Sequence, residues 1–167
     1  MFAESIFPIA LVVATFLSSL VAGLLFVFAI VIMPGISRLT DREFIRAFQA
    51  MDGIIQDNQP LFILVWVGSV VAVIAAALLG LGQLDGPVRV LMLLTALAYV
   101  VGVQLPTIAV NVPLNNRLQT LNVDALDATT HRTARSDFEP RWVRWNAMRT
   151  IIASLTSAGF IILLTLL

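Results

Sequence analysis

Four long stretches of this chain carry almost no charge, and that constrains the fold more than any other feature. Ile6 to Met33 contains no ionisable side chain. Pro60 to Leu81 is equally bare, Pro87 to Val110 holds only Arg89 in its first turn, and the eighteen residues from Thr150 to Leu167 are uncharged. A bilayer's hydrocarbon core of about 30 Å takes roughly 20 apolar residues to cross as a helix. Only 12% of the residues are charged, against about 25% in soluble domains, and mean hydropathy is +0.97. The fold expected is therefore all-α: an integral membrane four-helix bundle forming one domain over 1–167, with spans at about 6–33, 60–81, 87–110 and 141–166. The first run, preceded only by Glu4, is too long and lacks the basic start of a cleavable signal, so it reads as a retained helix. Pro34-Gly35 is expected to end it, and Asp85-Gly86-Pro87 to turn the second span into the third.

Composition excludes several chemistries. There is no cysteine, so disulfides and thiolate chemistry are out. Every basic residue is arginine, which removes Schiff-base chemistry. One histidine, His131, cannot build a His-rich metal cage. No cofactor or metal is expected, and a net charge of zero gives no reason to expect nucleic acid as a partner.

The connections carry most of the charge. In Arg38–Gln59, Arg38, Arg42 and Arg46 recur every four residues, and Phe44, Phe48, Met51 and Ile55 recur on another face. This predicts an amphipathic interfacial helix, along the membrane surface or capping the bundle. In Asn111–Arg149 a short helix is expected over Val123–Arg135, where Asp124 and Asp127 precede Arg132 and Arg135. Four spans put both connections on one side, with nine of the ten arginines. The positive-inside rule then makes the polar connections cytoplasmic and places both termini on the opposite side.

Helices in lipid associate through small residues. Gly68, Ala72, Ala76 and Gly80 form a stripe at four-residue spacing, and Ser19/Gly23 and Ala98/Gly102 repeat the pattern. The stripes would pack inside the bundle; a homo-oligomer face is the alternative.

Polar side chains near hydrocarbon usually face an interior or a cavity. Gln104, Thr107 and Asn111 share one face of the third span, Asn115 extends it if the helix passes Pro113, and Pro106 loosens the backbone among them. Gln56, Asp57, Asn58 and Gln59 crowd the start of the second span, and Trp142, Trp145 and Arg149, with Asn146 beside them, mark the start of the fourth. All lie at one membrane boundary, where they converge on a pocket or simply make caps and an interfacial belt. The belt reading is preferred for Trp142 and Trp145, snorkelling for Arg141 and Arg144, and a solvated helix position for His131. Asp137 and Glu139 beside Arg135 and Arg141 read as surface ion pairs. Arg149 and Asn111 are the two candidates for a site.

Val110-Asn111-Val112-Pro113-Leu114-Asn115-Asn116, followed some thirty residues later by Arg141-Trp142-Val143-Arg144-Trp145-Asn146-Ala147-Met148-Arg149-Thr150, resembles the DUF1772 family of small four-helix membrane proteins, which includes anthrone oxygenases. Gly23, Met33-Pro34-Gly35, Phe44, Met51 and Asn58 with Pro60 are similar too. Members often carry a histidine in the last motif; here Asn146-Ala147-Met148-Arg149 has none. The resemblance implies a cofactor-independent oxygenase that takes O2 as co-substrate and oxidises a flat, hydrophobic polycyclic phenol or anthrone drawn from the bilayer. It further implies that Arg149, Asn58, Asn111 and Asn115 hold substrate oxygens, with Gln104 on the same polar face, that Trp145 and Phe48 stack on the rings, and that His131 or Asp137 is the base. The alternative is a non-catalytic membrane protein that binds a lipid, quinone or protein partner. Transport ranks last, since no span carries a buried acid and no repeat is visible.

Overall fold

The computed structural model describes the backbone of residues 2–167 and the side chains from Ile6 onward; Glu4 lies outside the described side chains. Four helices are long and apolar enough to cross a membrane: Ile6–Ile36, Pro60–Leu81, Gly86–Gln119 and Ala128–Thr165. No strand occurs among the described residues. Large apolar side chains such as Ile9, Phe16, Leu64, Leu78, Ile108 and Leu155 point outward and are more than half exposed. Such a surface is stable only in a solvent of hydrocarbon. The chain is an integral, multi-pass membrane protein.

The first helix ends just past Pro34-Gly35, and the third is loosened at Pro106 without breaking. The first helix runs past Pro34 to Ile36, after a π-helical turn over Phe28–Ile32. The third continues through Pro106 and Pro113 to Gln119, with π turns at Val100–Gln104 and Thr107–Asn111 on either side of Pro106. A proline leaves a carbonyl unpaired one turn back, and local widening of the helix accommodates this.

The fourth helix differs most from expectation. There is no separate helix at 123–135. A single 3-10 turn, Val123–Ala125, precedes one 38-residue helix, Ala128–Thr165, that passes straight through Pro140. Asp127 caps its start by accepting the Thr130 N–H at 2.8 Å. At 1.5 Å per residue it is about 57 Å long, so roughly half extends beyond a 30 Å hydrocarbon core.

Between the first two spans, Asp41–Gln56 forms the amphipathic helix, started by a Thr40/Glu43 capping box. Phe44, Ile45, Phe48 and Asp52 are buried on its inner face. It packs against the third and fourth helices at the polar end of the bundle, where Phe48 meets Phe138 and Trp142 edge-on at 4.6 and 5.5 Å. Outside, Arg42 and Arg46 both bond Asp124, holding its carboxyl below the usual range, chiefly through the Arg42 bond.

Arg135 is no plain surface ion pair. It donates to the Leu39 and Ser37 carbonyls at 3.0 and 2.7 Å, to Asp41 at 3.1 Å and to Glu139 at 2.7 Å, and its guanidinium lies 4.5 Å from the Phe44 ring centre. It fastens the turn after the first span to the fourth helix. Arg135→Ala is expected to cost about 2–3 kcal/mol, since several charge-assisted bonds are lost together. A fall in thermal stability in detergent would show it; an unchanged transition would mean the clamp contributes nothing.

The second helix's small-residue stripe is internal. Ala72, Ala76 and Gly80 are buried, and side chains at Gly68 and Gly80 would meet Leu17 and Phe7 of the first helix at 3.2 Å. Ser19/Gly23 is different: Gly23 is exposed and a side chain there would touch nothing within 4 Å. The tightest glycine contacts lie between the third and fourth helices. A Cβ at Gly102 would lie 2.8 Å from Ile152, and one at Gly159 would lie 2.7 Å from Thr95.

Candidate functional site

At the polar end, the first, second, third and fourth helices and the Asp41–Gln56 helix enclose a cavity of about 220 Å³. Leu24, Leu25, Phe28, Phe48, Met51, Ile55, Phe62, Trp66, Val112 and Trp142 give it an apolar, largely aromatic wall. Thr107, Asn111, Asn115, Asn146, Asp52 and Arg149 supply the polar groups. Pockets that bind small molecules have this make-up, and this one is slightly below the usual ~300–1,000 Å³. One compact ring system suits it better than a two-chain lipid.

Arg149 is the most demanding group in the wall, with 3% of its surface exposed. It donates to Thr107 Oγ1 at 2.7 Å and to Asn146 Oδ1 at 3.0 Å, and its Nε–H has no partner. Among the described residues no carboxylate lies within 4.0 Å of it. Thr107 already donates to the Val103 carbonyl at 2.7 Å, which aims an oxygen lone pair at the guanidinium. Asn146 is held by donating to the Leu25 carbonyl at 3.1 Å, just ahead of the first helix's π turn. A buried cation held by neutral oxygens alone keeps much of its desolvation cost.

A second polar chain runs beside it. Asn111 reaches the Trp142 carbonyl at 3.4 Å, while its own Oδ1 is buried and unpartnered. The Trp142 indole N–H donates to Asn115 Oδ1 at 2.8 Å, and Asn115 Nδ2 donates to Asp52 Oδ1 at 2.7 Å. Gln56 Nε2 donates to Asp52 Oδ2 at 2.6 Å. Asp52 is 5% exposed. Burial pushes its carboxyl up from the ordinary value, against the pull of the Gln56 and Asn115 bonds.

Arg149, Asn111, Asn115 and Phe48 thus meet in one pocket. Five other candidates lie elsewhere. His131 is buried, not solvated, and its Nε2 pairs with the Val123 carbonyl at 2.9 Å, tying the 3-10 turn to the fourth helix. Asn58 is exposed at φ 60, ending the Asp41–Gln56 helix in the left-handed conformation asparagine tolerates. Trp145 is half-buried against the apolar cluster at the polar end but does not line the pocket; Trp142, read as a belt residue, does. Gln104 is buried beside the Tyr99 hydroxyl, outside the pocket. Asp137, the other candidate base, faces Arg117 at 3.7 Å and lines a separate cleft. Two pocket residues had a readable signal. Asp52 follows Phe44 and Phe48 at four-residue steps, and Asn146 sits between Trp142 and Arg149 at i+4 and i+7.

Fold and pocket define a small multi-pass membrane protein with an aromatic-walled cavity and a guanidinium that lacks a counter-ion. Residues 59–159 match the family model described as anthrone oxygenase, and the chain belongs to that family, DUF1772. No curated protein and no solved structure matches it. The matched segment carries Arg149, Asn146, Trp142, Asn115, Asn111 and Thr107; the first helix and the Asp41–Gln56 helix, which complete the wall, lie outside it.

Proposed function

We propose that the protein is a membrane-embedded oxygenase that oxidises a flat polycyclic phenol or anthrone with O2. The observation that carries this is the buried Arg149, aimed into an aromatic pocket and lacking a carboxylate partner. Such a group stabilises a ligand that is itself anionic or becomes so during reaction. An anthrone meets the requirement. Loss of a methylene proton gives an aromatic enolate whose charge rests largely on oxygen, and that carbanion can pass electrons to O2 without a bound cofactor. The balance is anthrone plus O2 to anthraquinone plus water: two C–H bonds break, one oxygen becomes the new carbonyl and the other leaves as water.

In this reading Arg149 holds the enolate oxygen, Asn111 and Asn115 hold further substrate oxygens, and Phe48, Trp142 and Trp66 cover the ring faces. The substrate enters from the bilayer, where O2 is also concentrated. The arginine bias favours a cytoplasmic polar end.

The test is O2 uptake by purified protein with anthrone in detergent, against protein-free micelles. Uptake above the spontaneous rate supports the reading. Anthrone binding without uptake would instead make this a binding protein. Asn111→Ala is expected to lower uptake about tenfold while expression and thermal stability hold. Loss of stability with unchanged turnover would assign Asn111 to the fold.

A further inference from the structure

Among the described residues the pocket wall contains one carboxylate, Asp52, and one guanidinium, Arg149, and they are not paired with each other. Asp52 is anchored through Asn115 and Arg149 through Thr107. These two anchors are eight residues apart on the same helix, about 12 Å at 1.5 Å per residue. The fourth helix repeats the spacing: Trp142, on the Asn115 side, and Arg149 are seven residues apart, about 10 Å. The carboxylate and the guanidinium are therefore anchored at separate levels of one aromatic slot, with Asn111, whose Oδ1 is unpartnered, between the two anchors on the third helix.

We propose that Asp52 is the general base of this pocket, taking a C–H proton at the Asn115–Trp142 end while the charge moves through the substrate ring to an oxygen on Arg149. The proposal rests on the oxygenase reading and narrows its substrate class. The C–H bond breaks, its proton forms an O–H bond to Asp52, and the electron pair is delocalised onto the substrate oxygen. Negative charge shifts from Asp52 to the substrate while Arg149 stays cationic, so the pocket's total charge does not change. A molecule whose acidic methylene and carbonyl lie across a ring from one another spans more of the separation between the two anchors than a simple ketone, whose acidic C–H is one carbon from its carbonyl.

The environment of Asp52 fits the role. Both carboxylate oxygens accept from neutral amides, from Asn115 and Gln56, so neither is neutralised by a cation and each keeps a lone pair for a proton. Burial raises the carboxyl's affinity for that proton. Its carboxylate is bonded by the amides of Gln56 and Asn115, and the wall it shares otherwise holds Asn111, Asn146, Thr107, Trp142 and apolar side chains of the first and second helices. Among the described residues, Arg149, a permanent cation, is the only other charged group in the wall.

The test separates proton removal from oxidation. Protein is incubated with anthrone in D2O and detergent without O2, and methylene hydrogen–deuterium exchange is followed by NMR against protein-free micelles. Binding is read from fluorescence, since Trp66 and Trp142 line the pocket. The wild type is expected to accelerate exchange, and Asp52→Asn to bind anthrone but exchange it about 100-fold or more slowly, with partial recovery in Asp52→Glu. Exchange by Asp52→Asn at the wild-type rate overturns the assignment. If Asp52→Asn does not fold, the wild-type profile decides. Exchange that rises with pH through the Asp52 pKa and then levels supports a carboxylate base; a flat profile overturns it. Exchange without aerobic O2 uptake would sink the oxygenase reading and leave Asp52 as base. Uptake with an active Asp52→Asn would do the reverse, and neither exchange nor uptake would sink both.

Discussion

Arg149→Met is expected to abolish anthrone-dependent O2 uptake while leaving the protein as stable as the wild type or more so. The two effects have opposite signs because the same burial causes both. In the unliganded protein the guanidinium is out of water, its Nε–H is unpartnered, and only the neutral oxygens of Thr107 and Asn146 face it. Replacing buried charges with an apolar side chain of similar volume is often neutral or stabilising by about 1–4 kcal/mol. Removing a preorganised oxyanion donor typically costs about 10²–10³ in rate. Arg149→Lys should fall between: it keeps the charge but lacks the planar fork that reaches Thr107 and Asn146 together. O2 uptake and thermal unfolding measured in the same detergent check both. A large loss of stability in Arg149→Met would show that the arginine serves the fold, and retained uptake would remove it from the mechanism.

The second large effect is structural. Gly159→Leu is expected to force the third and fourth helices apart and cost about 3 kcal/mol, through overpacking of a close-packed interface. A Cβ there already meets Thr95 Oγ1 at 2.7 Å and Cγ2 at 3.1 Å, and Thr95 is β-branched and buried, so it cannot turn aside cheaply. Gly102→Leu should behave alike, because Ile152 presents both Cγ2 and Cδ1 at 2.8 Å. Gly23→Leu is the control, since nothing lies within 4 Å of a side chain there. Thermal stability in detergent should fall for the first two and hold for the third. Three similar transitions would mean that these helices do not rely on close approach. Because Thr107 and Arg149 meet across the same helix pair, the first two variants should also lose activity.

The family's sequence pattern and the structure weigh the pocket differently. The matched segment brings the amides, Trp142 and Arg149, which is where the motifs concentrate. The opposite wall, with Phe28, Phe48, Met51 and Asp52, comes from the first helix and the Asp41–Gln56 helix. If Asp52 removes the proton, the reaction depends on a helix that lies outside the matched segment.

The spans could be read directly because hydrocarbon imposes one local rule: each crossing segment must be apolar over its whole length and pair its own backbone. That also made Arg149 and Asn111 stand out, as polar groups where a polar group is costly. Helix continuity was less legible. Proline is a strong local signal for a break, yet π turns either side of Pro106 carry the third helix onward and the fourth passes through Pro140, and packing against neighbours decides whether a turn widens or ends. Trp142 and Trp145 look alike in sequence, but the first faces the cavity and the second packs beside it, a difference set by how the fourth helix is rotated against the other helices. His131 looked available for chemistry, yet it closes a turn eight residues upstream.

The sequence by itself determined that this chain crosses a membrane in four helices, that its charge gathers at one end, and that an arginine and several amides lie where lipid would reject them. Each of these follows from the cost of placing one residue in one solvent. Only the tertiary structure decided which polar groups meet. Arg149 with Thr107, Asp52 with Asn115 and Asn146 with the Leu25 carbonyl join residues 42, 63 and 121 positions apart. Such pairings depend on helix rotation and depth in the bundle, which are fixed by packing among all the helices at once and leave no periodic trace in any one of them.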